Sequence, residues 1–239
     1  MPEIAVVTGA NRGIGLEVVR QLAGYGMRAV LTARDGAKAE AAAAAIDGDV
    51  LPAALDVSDR RSVDAFGRWA ARLDRVDVLV NNAAIVYDPW ANATTADLDV
   101  VHEAFETNLF GPWRVTQALL PLLARSANAR IVNVSSEGGS LASMGAGSPA
   151  YSVSKAALNA LTRILAAELR DMRVNAVCPG WTATDMGGRR GRPVEGRGER
   201  RVGGHAGSVG AQRRLLPRRP AGAVVNCPAL RDAVTVAGP

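Results

Sequence analysis

The sequence is poor in the residues that build covalent or metal frameworks. It holds two cysteines, Cys178 and Cys227, and two histidines, His102 and His205. Two cysteines give no disulfide framework, and none of the four shows metal-ligand spacing, so no metal site is expected. Aromatic residues make up only 4% of the chain, and Ala and Val carry the apolar content. No apolar run approaches the roughly 20 residues of a membrane span. Met1-Pro2-Glu3 leads straight into a strand-like segment, without the charged start and apolar run of a signal peptide. A cytoplasmic protein with no membrane association is expected.

What is present suits one α/β domain. The 239 residues are 48% hydrophobic and 21% charged, enough to bury a full core. The net charge of +5 is unevenly spread. After residue 186 there are eleven arginines and three acidic residues, a balance of +8, which leaves −3 for residues 1–186. The basic character therefore belongs to the tail and not to the domain.

Apolar periodicity predicts alternating elements. Strands are expected at 4–8, 28–32, 50–55, 76–80, 131–134 and 173–177. Between them, Ile14, Val18, Val19 and Leu22 recur at helical spacing, and further helices are expected at 37–46, 59–73, 95–123 and 151–170. Pro112 is expected near a bend in the long fourth helix. This alternation predicts a doubly wound parallel sheet with helices on both faces, a three-layer Rossmann-type fold.

Thr8-Gly9-Ala10-Asn11-Arg12-Gly13-Ile14-Gly15 lies between the first strand and the first helix. Glycines there let the backbone approach a pyrophosphate, and the helix N-terminus favours an anion. The spacing of Gly9, Gly13 and Gly15 differs from G-x-G-x-x-G. It resembles the T-G-x-x-x-G-I-G of the short-chain dehydrogenase/reductase family. Five further motifs follow in that family's order: Asn81-Asn82-Ala83-Ala84, Asn108, Ser136, Tyr151 with Lys155, and Pro179-Gly180. Asn108-Leu109-Phe110-Gly111 and Asp185-Met186 look most like its single-domain carbonyl reductase branch.

The resemblance implies a nicotinamide cofactor, bound through Gly9, Asn11, Arg12, Gly13, Ile14 and Gly15. In this family an acidic residue at the end of the second strand holds the ribose hydroxyls of NAD. Arg34 stands in that place here, and with Arg12 it suits the 2′-phosphate of NADP(H). NADP(H) is expected. NAD(H) is the alternative if Asp35 takes that position, and both arginines then read as solvated surface residues. Asp56 and Val57 resemble the pair that holds the adenine. Asn82, Ala83 and Ala84 complete that wall, with Asn81 pinning the fourth strand and Ala84 in place of the commoner glycine.

Tyr151 and Lys155 are four apart, one turn along a helix. A free tyrosine has a pKa of about 10, and a neighbouring ammonium favours its phenolate. Tyr151 can then act as acid in ketone reduction and as base in alcohol oxidation. The resemblance implies that Lys155 also bonds the ribose, and that Asn108 holds a water in a proton relay to it. A helix-surface or kink-stabilising asparagine is the other reading of Asn108. Ser135 and Ser136 both stand before a glycine at the family's spacing. Ser136, nearer the usual distance from Tyr151, is assigned to the substrate carbonyl, and Ser135 to the strand end. Pro179, Gly180, Thr182 and Thr184 are implied at the nicotinamide and phosphates. Cys178 reads as a buried strand-end residue, with no histidine placed to activate it.

The expected function is hydride transfer between nicotinamide and a small ketone, aldehyde or quinone, or the corresponding alcohol. A catalytically impaired nucleotide-binding protein is the alternative, because the family likeness stops at residue 195. Residues 196–239 are an atypical Arg/Gly/Pro-rich tail that reads as irregular. The family's last helix and strand are not found in it. Back-translation offers a reason. Read from the second base of each codon, residues 196–207 can give an amphipathic segment containing Trp. Residues 213–219 can give Gly-Gly-Phe-Phe-Arg-Asp-Gly, which resembles the final strand and turn of the bacterial reductases. A single frameshift near residue 195 is inferred, against a naturally variable tail. Nucleic-acid binding is not expected, since aromatic interleaving is missing from the tail. Without the usual tetramer contacts, a monomer or homodimer is expected.

Overall fold

The computed structural model describes residues 1–85 and 88–180. The tail from residue 181, including Thr182 and Thr184, lies outside the described residues.

Six strands form one parallel sheet: β1 (Ile4–Val7), β2 (Arg28–Ala33), β3 (Val50–Ala54), β4 (Val78–Asn81), β5 (Arg130–Val134) and β6 (Arg173–Val177). Their order is β3-β2-β1-β4-β5-β6. The helices are α1 (Gly13–Gly24), α2 (Gly36–Ala44), α3 (Arg60–Ala70), α4 (Leu98–Phe105), α5 (Gly111–Leu123) and α6 (Pro149–Glu168). No helix among the described residues is long and apolar enough to cross a membrane.

The period of two along each strand sorts side chains between two cores. Ala5, Val7, Ala29, Leu31, Val78 and Val80 point to one face, where Val18, Val19 and Leu22 of α1 and Ala39 of α2 meet them. Ile4, Val6, Val30, Leu79 and Ile131 point to the other, against Phe66 of α3, Leu119 of α5 and Leu158 and Leu161 of α6. The result is the three-layer doubly wound sheet expected from the alternation. β1 is flanked by β2 and β4, so the chain reverses its winding direction beside β1. In open parallel sheets a crevice opens at the carboxyl ends of the strands at such a point.

Two helices depart from the sequence expectation in ways that bear on the site. The long fourth helix begins at Leu98 and not near residue 95. It does not simply bend at Pro112 but widens into a π turn over Glu106–Phe110, where the Gly111 N–H reaches back to the Glu106 carbonyl. Pro112 brings no N–H, and its ring would crowd the carbonyl four residues earlier, so regular α spacing is disfavoured just there. Gly111 packs so closely on Val57 that an added Cβ would lie 2.8 Å from Cγ2 of that valine. Finally, α6 begins at Pro149, two residues before Tyr151, and ends at Glu168.

Candidate active site

The loop from β1 to α1 is held by hydrogen bonds that leave its helix end uncapped. The Thr8 hydroxyl accepts from the backbone N–H groups of Asn82 and Ala83 at 2.9 and 3.0 Å. The Asn82 amide donates to the carbonyls of Thr8 and Gly9 at 2.9 and 3.0 Å. Ala10 N–H donates to Thr32. Asn82, expected as a cofactor contact, thus spends its side-chain amide shaping the loop. Asn81 donates to Asn133 at 2.8 Å and so ties β4 to β5.

Helices α2, α3 and α4 have aspartate caps at Asp35, Asp59 and Asp97, whereas no side chain caps α1 at Arg12. An uncapped N-terminus beside a glycine loop suits a phosphate. Gly15 allows the close approach. A Cβ there would lie 2.5 Å from Nδ2 of Asn82 and 2.7 Å from the Gly9 carbonyl oxygen.

A continuous cleft runs from this loop to the chemical end. Gly9, Asn11, Arg12, Gly13 and Ile14 line its phosphate side, and Arg34, Asp56 and Val57 its outer end. Ala83, Ala84, Pro179, Tyr151 and Lys155 close the other end. Gly15 lies beneath the loop and not on the cleft wall, and Gly180 follows Pro179 with φ +74°. Asn82 and Ser135 also line the cleft, whereas Ser136 and Asn108 do not; sequence reasoning missed Leu55, Ile85, Thr107 and Val134 as lining residues. Their apolar or buried character gave no signal apart from core packing.

β2 ends at Ala33, which sets Arg34 on the cleft wall. The Asp35 carboxylate instead accepts from the N–H groups of Ala37 and Lys38 as the cap of α2. The Asp56 carboxylate accepts from the N–H and hydroxyl of Ser58 at 3.0 and 2.6 Å.

At the chemical end α6 presents Tyr151 and Lys155. The Lys155 Nζ lies 5.7 Å from the centre of the tyrosine ring, and Lys155 is only 2% exposed. Its Nζ donates to the Val134 carbonyl at 2.7 Å. An ammonium has three donors, and this bond uses one. Burial pushes the Lys155 ammonium down from 10.5 to about 8, against a smaller upward pull from Cys178. Cys178 itself is half-buried and not enclosed as expected, because β6 ends at Val177 and the chain leaves the sheet there.

The two serines separate cleanly. The Ser135 hydroxyl donates to Asn159 Oδ1 at 2.7 Å, turned into the protein. Ser136 starts a 3-10 turn, and its Oγ accepts from Gly138 N–H at 3.2 Å. That leaves the Ser136 proton for another acceptor. Gly139, in the same turn, packs on α6 so tightly that a Cβ would sit 2.7 Å from the Lys155 carbonyl carbon. Asn159 also donates to the Gly139 carbonyl at 2.9 Å. One α6 side chain therefore holds both ends of the serine turn, a contact that sequence reasoning missed.

Asn108 is fully buried in the π turn. Its amide donates to the Ile85 carbonyl and to Ser154 Oγ, both at 3.0 Å, and its Oδ1 accepts from Ile85 N–H at 2.9 Å. Its side chain thus joins the β4–α4 loop to the first turns of α6.

The chain matches the short chain dehydrogenase family over residues 3–194. It is 34% identical to (+)-neomenthol dehydrogenase of Arabidopsis thaliana, covering 77% of this chain and 84% of that one. It is also 34% identical to a 3-oxoacyl-(acyl-carrier-protein) reductase of Synechocystis, over 77% and 76% of the two chains. The structure of an NADPH-bound carbonyl reductase from chicken fatty liver superposes with a TM-score of 0.72 at 32% identity, over 78% of this chain and 82% of that one. With the fold, the glycine loop and the Tyr151–Lys155 pair, these findings make the chain a member of the short-chain dehydrogenase/reductase family of oxidoreductases.

Proposed function

We propose that the protein is an NADP(H)-dependent reductase of small ketones, aldehydes or quinones, able to run in reverse on the corresponding alcohols. The observation that carries the cofactor choice is the register at the end of β2. Arg34 lines the cleft while Asp35 is engaged as a helix cap. A guanidinium there favours a phosphate over a bare ribose hydroxyl. The solved relative with NADPH bound supports the same choice.

When bound, the nicotinamide supplies or accepts the hydride. The protein supplies the rest. Tyr151 gives its phenolic proton to the carbonyl oxygen during reduction and takes it back during oxidation. Ser136 hydrogen-bonds the same oxygen and steadies the charge that develops on it. Lys155 places a cation beside the phenol, with Val134 holding its Nζ. Asn108 holds the loop that carries Ile85 against α6 and so shapes the wall above the substrate. Among the described residues the polar groups at this end are few, which suits a small substrate whose apolar part makes no directional demand.

The test is NADPH consumption by purified protein against a panel of quinones, aldehydes and ketones, repeated with NADH. Consumption with NADPH, at least about tenfold faster than with NADH, supports the proposal. Equal rates with the two cofactors, or no consumption across the panel, contradict it.

A further inference from the structure

The entry into α6 is built in an unusual way. Gly147 and Ser148 have φ of +90° and +48°, so two successive residues sit in left-handed backbone. Ser148, at φ 48° and ψ 50°, makes no side-chain cap hydrogen bond. A capping serine needs extended backbone to turn its oxygen onto the first N–H groups. Pro149 follows and has no N–H. The first donors of the helix are therefore those of Ala150 and Tyr151, in a buried setting with no local acceptor.

Their acceptor comes from 62 and 63 residues away. Asp88, 3% exposed, accepts from Ala150 N–H through Oδ2 at 3.1 Å and from Tyr151 N–H through Oδ1 at 3.3 Å. Both carboxylate oxygens are thus placed on the turn that carries Tyr151. Ser154, one turn on, is tied to the same β4–α4 loop through Asn108. The loop grips α6 on both sides of Tyr151.

We propose that Asp88 is a positioning residue for Tyr151: it replaces the missing local cap of α6 and holds the tyrosine's backbone, so that the hydroxyl meets the substrate oxygen in one fixed place. The proposal rests on the functional reading above for its consequence, not for its geometry. Small displacements of an acid from its target cost rate steeply, while cofactor contacts at the far end of the cleft do not involve this turn.

Asp88→Ala and Asp88→Asn test it, with two readouts. The first is amide hydrogen exchange in the cofactor-free protein. Asp88→Ala speeds exchange at residues 150–152 and leaves α1 unchanged. The second is turnover with saturating NADPH and ketone. In Asp88→Ala, kcat falls about 10- to 100-fold while the NADPH Kd, read by fluorescence, stays within about twofold. Asp88→Asn keeps one of the two acceptor oxygens at the same reach and recovers part of the kcat. Unchanged exchange at 150–152, a wild-type kcat in Asp88→Ala, or NADPH binding that falls in step with kcat each overturns the proposal. If wild-type protein is inert to every carbonyl offered, the functional reading fails instead, and exchange alone judges the clamp.

Discussion

The Lys155 Nζ and the Val134 carbonyl oxygen are 2.7 Å apart at the end of β5, so the buried ammonium is held by the backbone of the sheet. Its burial has a measurable consequence. The folded pKa is pushed down to about 8 from 10.5. Between those values the unfolded chain binds more protons than the folded one, so stability rises with pH across that window. The gap corresponds to about 3 kcal/mol. Urea unfolding of cofactor-free wild type and Lys155→Met, at pH 7.5 and 10, checks this. Wild type gains on the variant as pH rises. A constant difference between the two, or a loss by wild type, contradicts the assignment.

In the proposed function Arg34 carries the cofactor choice. Replacing it with aspartate removes a cation from the cleft wall and puts a carboxylate where the phosphate would lie. NADPH affinity is expected to fall about 10- to 100-fold in Arg34→Asp, roughly 1.4 to 2.8 kcal/mol, with NADH affinity held or improved. Fluorescence titration of both cofactors measures it. An equal loss for both would place Arg34 outside the phosphate site.

Gly15 sets the approach of α1 to the end of β4. Gly15→Ala forces a methyl to within 2.5 Å of the Asn82 amide as the backbone stands. That amide is the group that shapes the loop through Thr8 and Gly9. Thermal unfolding should show a loss of about 1–3 kcal/mol, together with weakened NADPH binding. A variant with wild-type Tm and affinity would show that the loop is softer than its hydrogen bonds imply.

Much of this architecture was legible in the sequence because it is local or periodic. The apolar run from Ile4 to Val7 read as a short buried strand, and the spacing of Gly9, Gly13 and Gly15 gave the phosphate loop. Tyr151 and Lys155 needed only a helical turn between them. The misses share a different cause, which is contact between distant parts of the chain. The π turn at Glu106–Phe110 depends on Pro112 together with the packing of Gly111 on Val57. Ser135 and Ser136 are told apart in the sequence by their distance from Tyr151, but the contact that turns Ser135 inward, with Asn159 reaching across from α6, leaves no local signal. Asp88 reads as a loop acid, since nothing near it in the chain reveals the helix end that it caps.

The tail calls for a genetic test. A frameshift near residue 195 is proposed for the Arg-rich ending, and the family match stops at residue 194. Sequencing the coding DNA and translating the shifted frame should give an ending with Trp and the Gly-Gly-Phe-Phe-Arg-Asp-Gly run. A shifted frame without those features would leave the tail as a natural variant.

Tyr151 is proposed to move the proton, and the phenol itself offers the sharpest test. Tyr151→Phe removes one oxygen and leaves the turn held by Asp88 in place. Carbonyl-dependent NADPH oxidation should fall by about 10²- to 10⁴-fold, with the NADPH Kd unchanged. Turnover by Tyr151→Phe at the wild-type rate would contradict the account, because the proton would then come from another group.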